Sequence, residues 1–238
     1  MTGQLCMHRI TRRASFALLT LPAACSLQPL APMRRSPLDS RSTWPAVRAP
    51  ALGQTWTYRV LNFYNGEQVD TVQETISSLA PITLSRQSAR HGELPPEIHT
   101  NWGQVRQDPL WDLVQTYDTP LPLWPASLAL GAAQASETSY RAGTSSFKLW
   151  ISVQSRVGGY ERVSLASGEF DTVRIDKFIR LRHYDSSRQN FTRSETLWLA
   201  PAIGRWVARE TQGEYRGSER PPNLYREDHL RWEIGSWV

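Results

Sequence analysis

Apolar and polar residues alternate with period two along much of this chain, and the alternation predicts strands. From Gln54, Trp56, Tyr58 and Val60 fall on one side and Thr55, Thr57 and Arg59 on the other, the pattern of a half-buried strand. Asn65-Gly66 follows and predicts a tight hairpin with positive φ at both turn positions, its return strand running from about Glu67 to Ser77. A third strand is expected from Ile82 to Gln87. Farther on, Phe147, Leu149, Ile151 and Val153 alternate with Lys148, Trp150, Ser152 and Gln154, and Gly158-Gly159 reads as a turn into a strand from Tyr160 to Leu165. Val173, Ile175, Ile179 and Leu181 share the face opposite Arg174, Asp176, Arg180 and Arg182. Further strands fit Thr192 to Leu199, Arg205 to Gly213 and His229 to Trp237.

These elements predict a mainly β domain: one strongly curved antiparallel sheet, a half-barrel or open barrel meander of about eight or nine strands. Residues 91 to 131 break the rhythm, because Pro95, Pro96, Pro109, Pro120, Pro122 and Pro125 interleave with Trp102, Trp111, Tyr117 and Trp124. Proline cannot donate to a ladder, so this stretch is expected to be an irregular, proline-rich excursion over a sheet face, with a lid role left open.

The N-terminal residues carry an address rather than a fold. Arg9, Arg12 and Arg13 lead into an apolar run from Ala14 to Ala24 that stops at Cys25, as in an export signal, and the run is too short to remain as a membrane span. The leader resembles a bacterial lipoprotein signal, which implies lipidation of Cys25, although Pro22 departs from the usual pattern and ordinary signal-peptidase cleavage near Cys25 competes with it. Residues 25 to 50, with Pro29, Pro32, Pro37, Pro45 and Pro50, then read as a solvated tether whose Arg34, Arg35, Arg41 and Arg48 either lie on anionic lipid or simply aid solubility. The division is therefore residues 1–24 as export signal, 25–50 as anchor and tether, and 51–238 as the β domain. Ser26 after the cysteine, by resemblance to enterobacterial lipoproteins, implies outer-membrane sorting.

Charge and composition narrow the function. Loss of the leader lowers Lys+Arg from 27 to 24 against 22 acidic residues, so the mature chain lacks the positive excess that nucleic acid needs. Of two cysteines, Cys6 and Cys25, neither lies in the domain, which leaves no disulfide or thiolate metal site there. His91, His99, His183 and His229 lack metal-ligand spacing, and no Gly-x-Ser-x-Gly, Walker or dinucleotide pattern occurs. The expectation is no enzyme activity, no metal and no cofactor.

The tryptophans are the candidate chemistry. Trp56, Trp150, Trp198 and Trp206, with Phe170, would fill the inside of a curved sheet or line a cavity for a lipid or other hydrophobic ligand. Core packing is the commoner fate of such rings.

Two motifs carry a family resemblance. Gly159-Tyr160-Glu161-Arg162-Val163 precedes Ser167-Gly168-Glu169-Phe170-Asp171-Thr172-Val173-Arg174-Ile175, and Trp198-Leu199-Ala200-Pro201-Ala202-Ile203-Gly204-Arg205-Trp206-Val207 forms the second. They resemble TapB-like and related domain-of-unknown-function proteins of the bacterial envelope, with Ala202 where glycine is usual. The resemblance implies a curved antiparallel sheet and no activity. The leading expectation is thus a non-enzymatic periplasmic lipoprotein presenting an interaction surface to an envelope protein; a hydrophobic-ligand carrier and an envelope hydrolase are the alternatives.

Overall fold

The computed structural model describes residues 33–39, 44–227 and 229–238, so the leader, Cys25, Ser26 and Arg41 lie outside the described residues. Fourteen strands and no helix occur among the described residues. They are β1 Arg34–Pro37, β2 Thr55–Asn62, β3 Gln68–Leu79, β4 Ile82–Ser88, β5 Gly92–Asn101, β6 Gln104–Asp108 and β7 Gln115–Pro122. They continue with β8 Ala133–Ala142, β9 Leu149–Leu165, β10 Gly168–Leu181, β11 Gln189–Ala200, β12 Arg205–Arg216, β13 Leu224–Arg226 and β14 Leu230–Trp237.

Every pairing is antiparallel, and β8 pairs with β9 while β14 pairs with β2, so the curved sheet closes into a twelve-stranded up-and-down barrel. β1 lies outside the ring on the far half of β9, and β13 pairs with the last residues of β12, beyond the stretch that β14 pairs. Closure leaves the barrel no open edge, and it makes the period-two pattern a statement about lumen and exterior. Trp56, Tyr58 and Val60 of β2, Val72 and Ile76 of β3, and Val173, Ile175, Ile179 and Leu181 of β10 are all buried.

The excursion expected over residues 91 to 131 is corrected: β5, β6 and β7 run through it. Its prolines sit where the ladder is interrupted. Leu84 pairs with Glu97 and Arg86 with Leu94, so Pro95 and Pro96 occupy a bulge, and Pro120 lies in the longer break between the Gln107–Thr116 and Val105–Leu121 pairs. β8 escaped the sequence reading because Ala-Gln-Ala-Ser-Glu-Thr-Ser shows no apolar alternation.

Gly158-Gly159 is also corrected, from a turn to a bulge inside the 17-residue β9, opposite the step from Arg174 to Ile175. At Asn65-Gly66 the hairpin is present, but only Gly66 has positive φ (74°), and the connection is a five-residue loop from Phe63 to Glu67. Ala202 fits its turn, since the positive φ there falls on Gly204 (79°).

One end of the barrel is sealed. Trp102 lies between Trp56 and Trp124, each 6.0 Å away, and donates its indole N–H to the Gly204 carbonyl at 2.9 Å. The described part of the expected tether is held to this half: β1 pairs with β9, Arg48 N–H donates to Pro201 O (2.9 Å), and Trp44 packs on Tyr160 at 4.8 Å. Ser167, at the tip of the β9–β10 hairpin, donates to the Ile234 carbonyl at 2.5 Å, so that hairpin arches across to β14.

Candidate functional site

Charged residues fall in phase with the apolar ones on several inward faces, and they form three tiers along the lumen. In the sealed half, Arg205 is fully buried, donating to Glu74 Oε2 from Nη2 (2.6 Å) and Nε (2.9 Å) and to Glu97 at 3.1 and 3.2 Å. Arg86 adds a 3.2 Å bond to Glu74. The Arg205 guanidinium lies 5.4 to 5.8 Å from the rings of Trp206, Trp56 and Trp102, so cation–π contacts complete its shell. His99 Nδ1 accepts from Gly103 N–H (3.1 Å), which leaves the Nε2 hydrogen to meet Glu97 at 2.5 Å. Burial pushes the Glu97 carboxyl up, but Arg205 and His99 outweigh it and hold the group well below the usual range.

In the middle tier, Lys177 and Arg209 flank Glu195, with Lys177 Nζ at 3.0 Å. Burial again opposes ionisation, yet the two cations bring Glu195 down to about 2.

The third tier is the open mouth. A cavity of about 570 Å³ opens here, and six arginines line it, Arg86, Arg90, Arg188, Arg193, Arg209 and Arg226, against three carboxylates, Asp70, Asp112 and Glu227. Arg193 lies 3.7 Å from the Trp111 ring and bonds Glu227 Oε2 at 3.1 Å; Arg188 lies 5.1 Å from the Tyr215 ring. Trp111 is fixed by its indole N–H donating to Asp108 Oδ2 at 3.0 Å. Arg90 and Arg226 have no side-chain partner among the described residues, and the buried Nε of Arg209 has no acceptor among them.

An aromatic row runs from Tyr184 through His183 (4.3 Å), Phe191 (5.1 Å) and Tyr215 (6.5 Å) to Tyr225 (5.4 Å) beside this cavity. Asp112, His183 and Glu227 come within 4.8 Å of one another, a grouping their spacing in sequence did not suggest. Arg188 already bonds both carboxylates, at 3.0 and 2.8 Å, and His183 Nδ1 accepts from Asp185 N–H at 3.1 Å, which places the ring hydrogen on Nε2. Burial, with Arg188 close by, also pushes the His183 pKa down. The group is an ion-paired wall in which Arg188 holds both carboxylates.

The residues named from sequence separate. Trp56 and Trp206 are fully buried in the sealed half, where Trp206 stacks on Tyr58 at 4.0 Å. Trp198 is also buried, but beneath Arg35, with its indole N–H donating to Glu161 at 2.8 Å. Phe170 meets Trp237 edge-on at 5.2 Å near the sealed end, and Trp150 is 49% exposed on the outside of β9. None of the five lines the mouth cavity. Its arginines were not singled out from the sequence; the available signal was phase, since Arg193 and Glu195 fall in step with Phe191, Leu197 and Leu199.

No protein-family model matches the chain, and no curated protein does. The fold is similar to that of an exported protein, described as such by inference, with a YmcC-like fold from Bacteroides fragilis NCTC 9343; the TM-score is 0.52 at 11% identity over 81% of this chain and 99% of that one. It is similar also to an inferred lipoprotein from Parabacteroides distasonis ATCC 8503, with a TM-score of 0.50 at 10% identity over 82% of this chain and all of that one. At such identities the likeness is one of fold.

Proposed function

We propose that this chain is a non-enzymatic, lipid-anchored protein of the bacterial envelope that binds a small anionic ligand in the mouth of its barrel. The observation that carries the reading is the 570 Å³ cavity, in which six arginines outnumber three carboxylates beside the faces of Trp111, Tyr215 and Trp232. That size suits a small molecule, and the lining suits one bearing carboxylate or phosphate on a flat or apolar body. The export leader ending at Cys25, and similarity in fold to proteins described as exported or as a lipoprotein, support the envelope address. Ser26 supports the outer membrane.

An acyl chain in the lumen has less in its favour. Trp56, Trp206 and Arg205 fill the sealed half, and the middle-tier void is only about 30 Å³.

The test is native mass spectrometry of the Cys25→Ser chain purified from the periplasm. An acidic adduct of a few hundred daltons (about the mass this volume admits) that is lost in Arg193→Ala and Trp111→Ala supports the reading. A bare chain that also fails to bind a panel of organic phosphates and carboxylates overturns it.

A further inference from the structure

We infer that the sealed end of the barrel is a docking face for an anionic lipid surface, so that the mouth points away from the bilayer. The inference rests on the anchor at Cys25 and is independent of what the mouth binds.

Three observations converge on that end. The chain passes into β1 at Arg34, opposite Ser164 near the end of β9, and the nine residues from Cys25 to Arg34 reach about 30 Å at most. An anchor at Cys25 therefore holds the sealed half near the membrane. Exposed apolar side chains gather on the same end from separate elements: Leu52 before β2, Leu79 at the end of β3, Leu130 in the β7–β8 loop, Trp237 at the end of β14 and Val238 after it. Leu130 is 58% and Val238 86% exposed, which is costly in water and favourable at a headgroup boundary. Arg34, Arg35 and Arg48 are exposed there too, and such cations favour anionic headgroups.

The mouth also exposes aromatic residues, among them Phe63, Tyr64, Phe147 and Tyr225. Leu113 and Leu224 are exposed there too, and arginines outnumber carboxylates along its wall, so neither apolar exposure nor charge by itself separates the two ends. The point of attachment decides between them: the chain from Cys25 joins the barrel at Arg34, opposite Ser164, and this assigns the lipid to the sealed end.

Cys25 is the only cysteine after the leader, so the chain from Cys25 onward can be coupled through its thiol to maleimide lipid in vesicles of phosphatidylcholine and phosphatidylglycerol. Amide hydrogen exchange of the coupled chain, compared with the uncoupled one, is expected to slow at residues 126–132 and 235–238 and to stay unchanged at 143–148 and 184–188. Sedimentation of the uncoupled chain with the same vesicles is expected to weaken about tenfold in Arg34→Glu/Arg35→Glu, and similarly in Arg48→Glu/Leu130→Ser should the first variant fold poorly. Slowing at the mouth loops, or at neither end, overturns the proposal. Ligand binding is measured in solution without vesicles, and lipidation by fatty-acid labelling of the native and Cys25→Ser chains, so each of those readings can fail alone.

Discussion

Arg205 and Glu74 meet through two hydrogen bonds of 2.6 and 2.9 Å with neither side chain exposed to solvent. Glu74 also serves Arg86, so one carboxylate ties β12, β3 and β4 across the lumen. Glu74→Ala leaves two buried guanidinium groups short of a partner and is expected to lower stability by about 3–5 kcal/mol, the usual result of breaking one side of a buried pair. Urea unfolding followed by tryptophan fluorescence measures it. A loss under about 1 kcal/mol would mean that water replaces the carboxylate, in conflict with a sealed end.

The middle tier makes stability depend on acid. Glu195 is lowered from 4.5 to about 2, so the unfolded chain takes up the proton more readily than the folded one. Its contribution is full above about pH 4.5 and disappears as pH falls toward 2, a change of roughly 3 kcal/mol by linkage. Glu97, also lowered, acts in the same direction. Glu195→Gln is expected to be less stable at pH 7 and to lose less between pH 4.5 and 2 than the native chain. Parallel stability curves over that interval would show that Glu195 is not held ionised by Lys177 and Arg209.

Curvature and antiparallel order were legible in the sequence because residues such as Val173, Ile175, Ile179 and Leu181 hold a strict period of two. Closure was not, because the strands that complete the ring are the atypical ones: β5 carries a proline pair in a bulge and β8 is small and polar. The mouth was hidden for a related reason. In an open sheet Arg193 and Arg209 belong on a wet face; only the ring turns that face into a lumen, where Arg209 meets the buried Glu195 and Arg193 meets Glu227. Lys177 shows the difference most simply, lying in phase with Ile175 and Ile179 and yet charged.

Gly204 joins the N-terminal segment to the barrel. It has φ of 79°, and a Cβ there would stand 2.6 Å from the Arg48 carbonyl oxygen, a backbone atom with little freedom to yield. Gly204→Ala is expected to cost about 1–3 kcal/mol and to loosen residues 44–50 in particular. Limited trypsin digestion followed by mass spectrometry checks this. Cleavage after the exposed Arg48 should quicken in the variant at temperatures where the strands remain protected, and equal rates would place the strain elsewhere.

Trp150 and Trp198 separate the two fates of a large ring on this barrel. Each stands in a long strand beside polar neighbours, yet Trp198 is 2% exposed and Trp150 49%. The difference comes from what covers them: Arg35 lies over Trp198 and Glu161 accepts its N–H, whereas the groove around Trp150 is open and bordered by Arg180, Arg182 and Tyr184. Trp198→Ala is therefore expected to cost about 3–5 kcal/mol and to leave Glu161 held by Arg174 alone, while Trp150→Ala costs under about 1 kcal/mol. Urea midpoints of the two variants decide the matter. Equal small losses would mean that β1 does not cover Trp198 in solution, and with it would go the short reach from Cys25 on which the orientation of the barrel at the membrane depends.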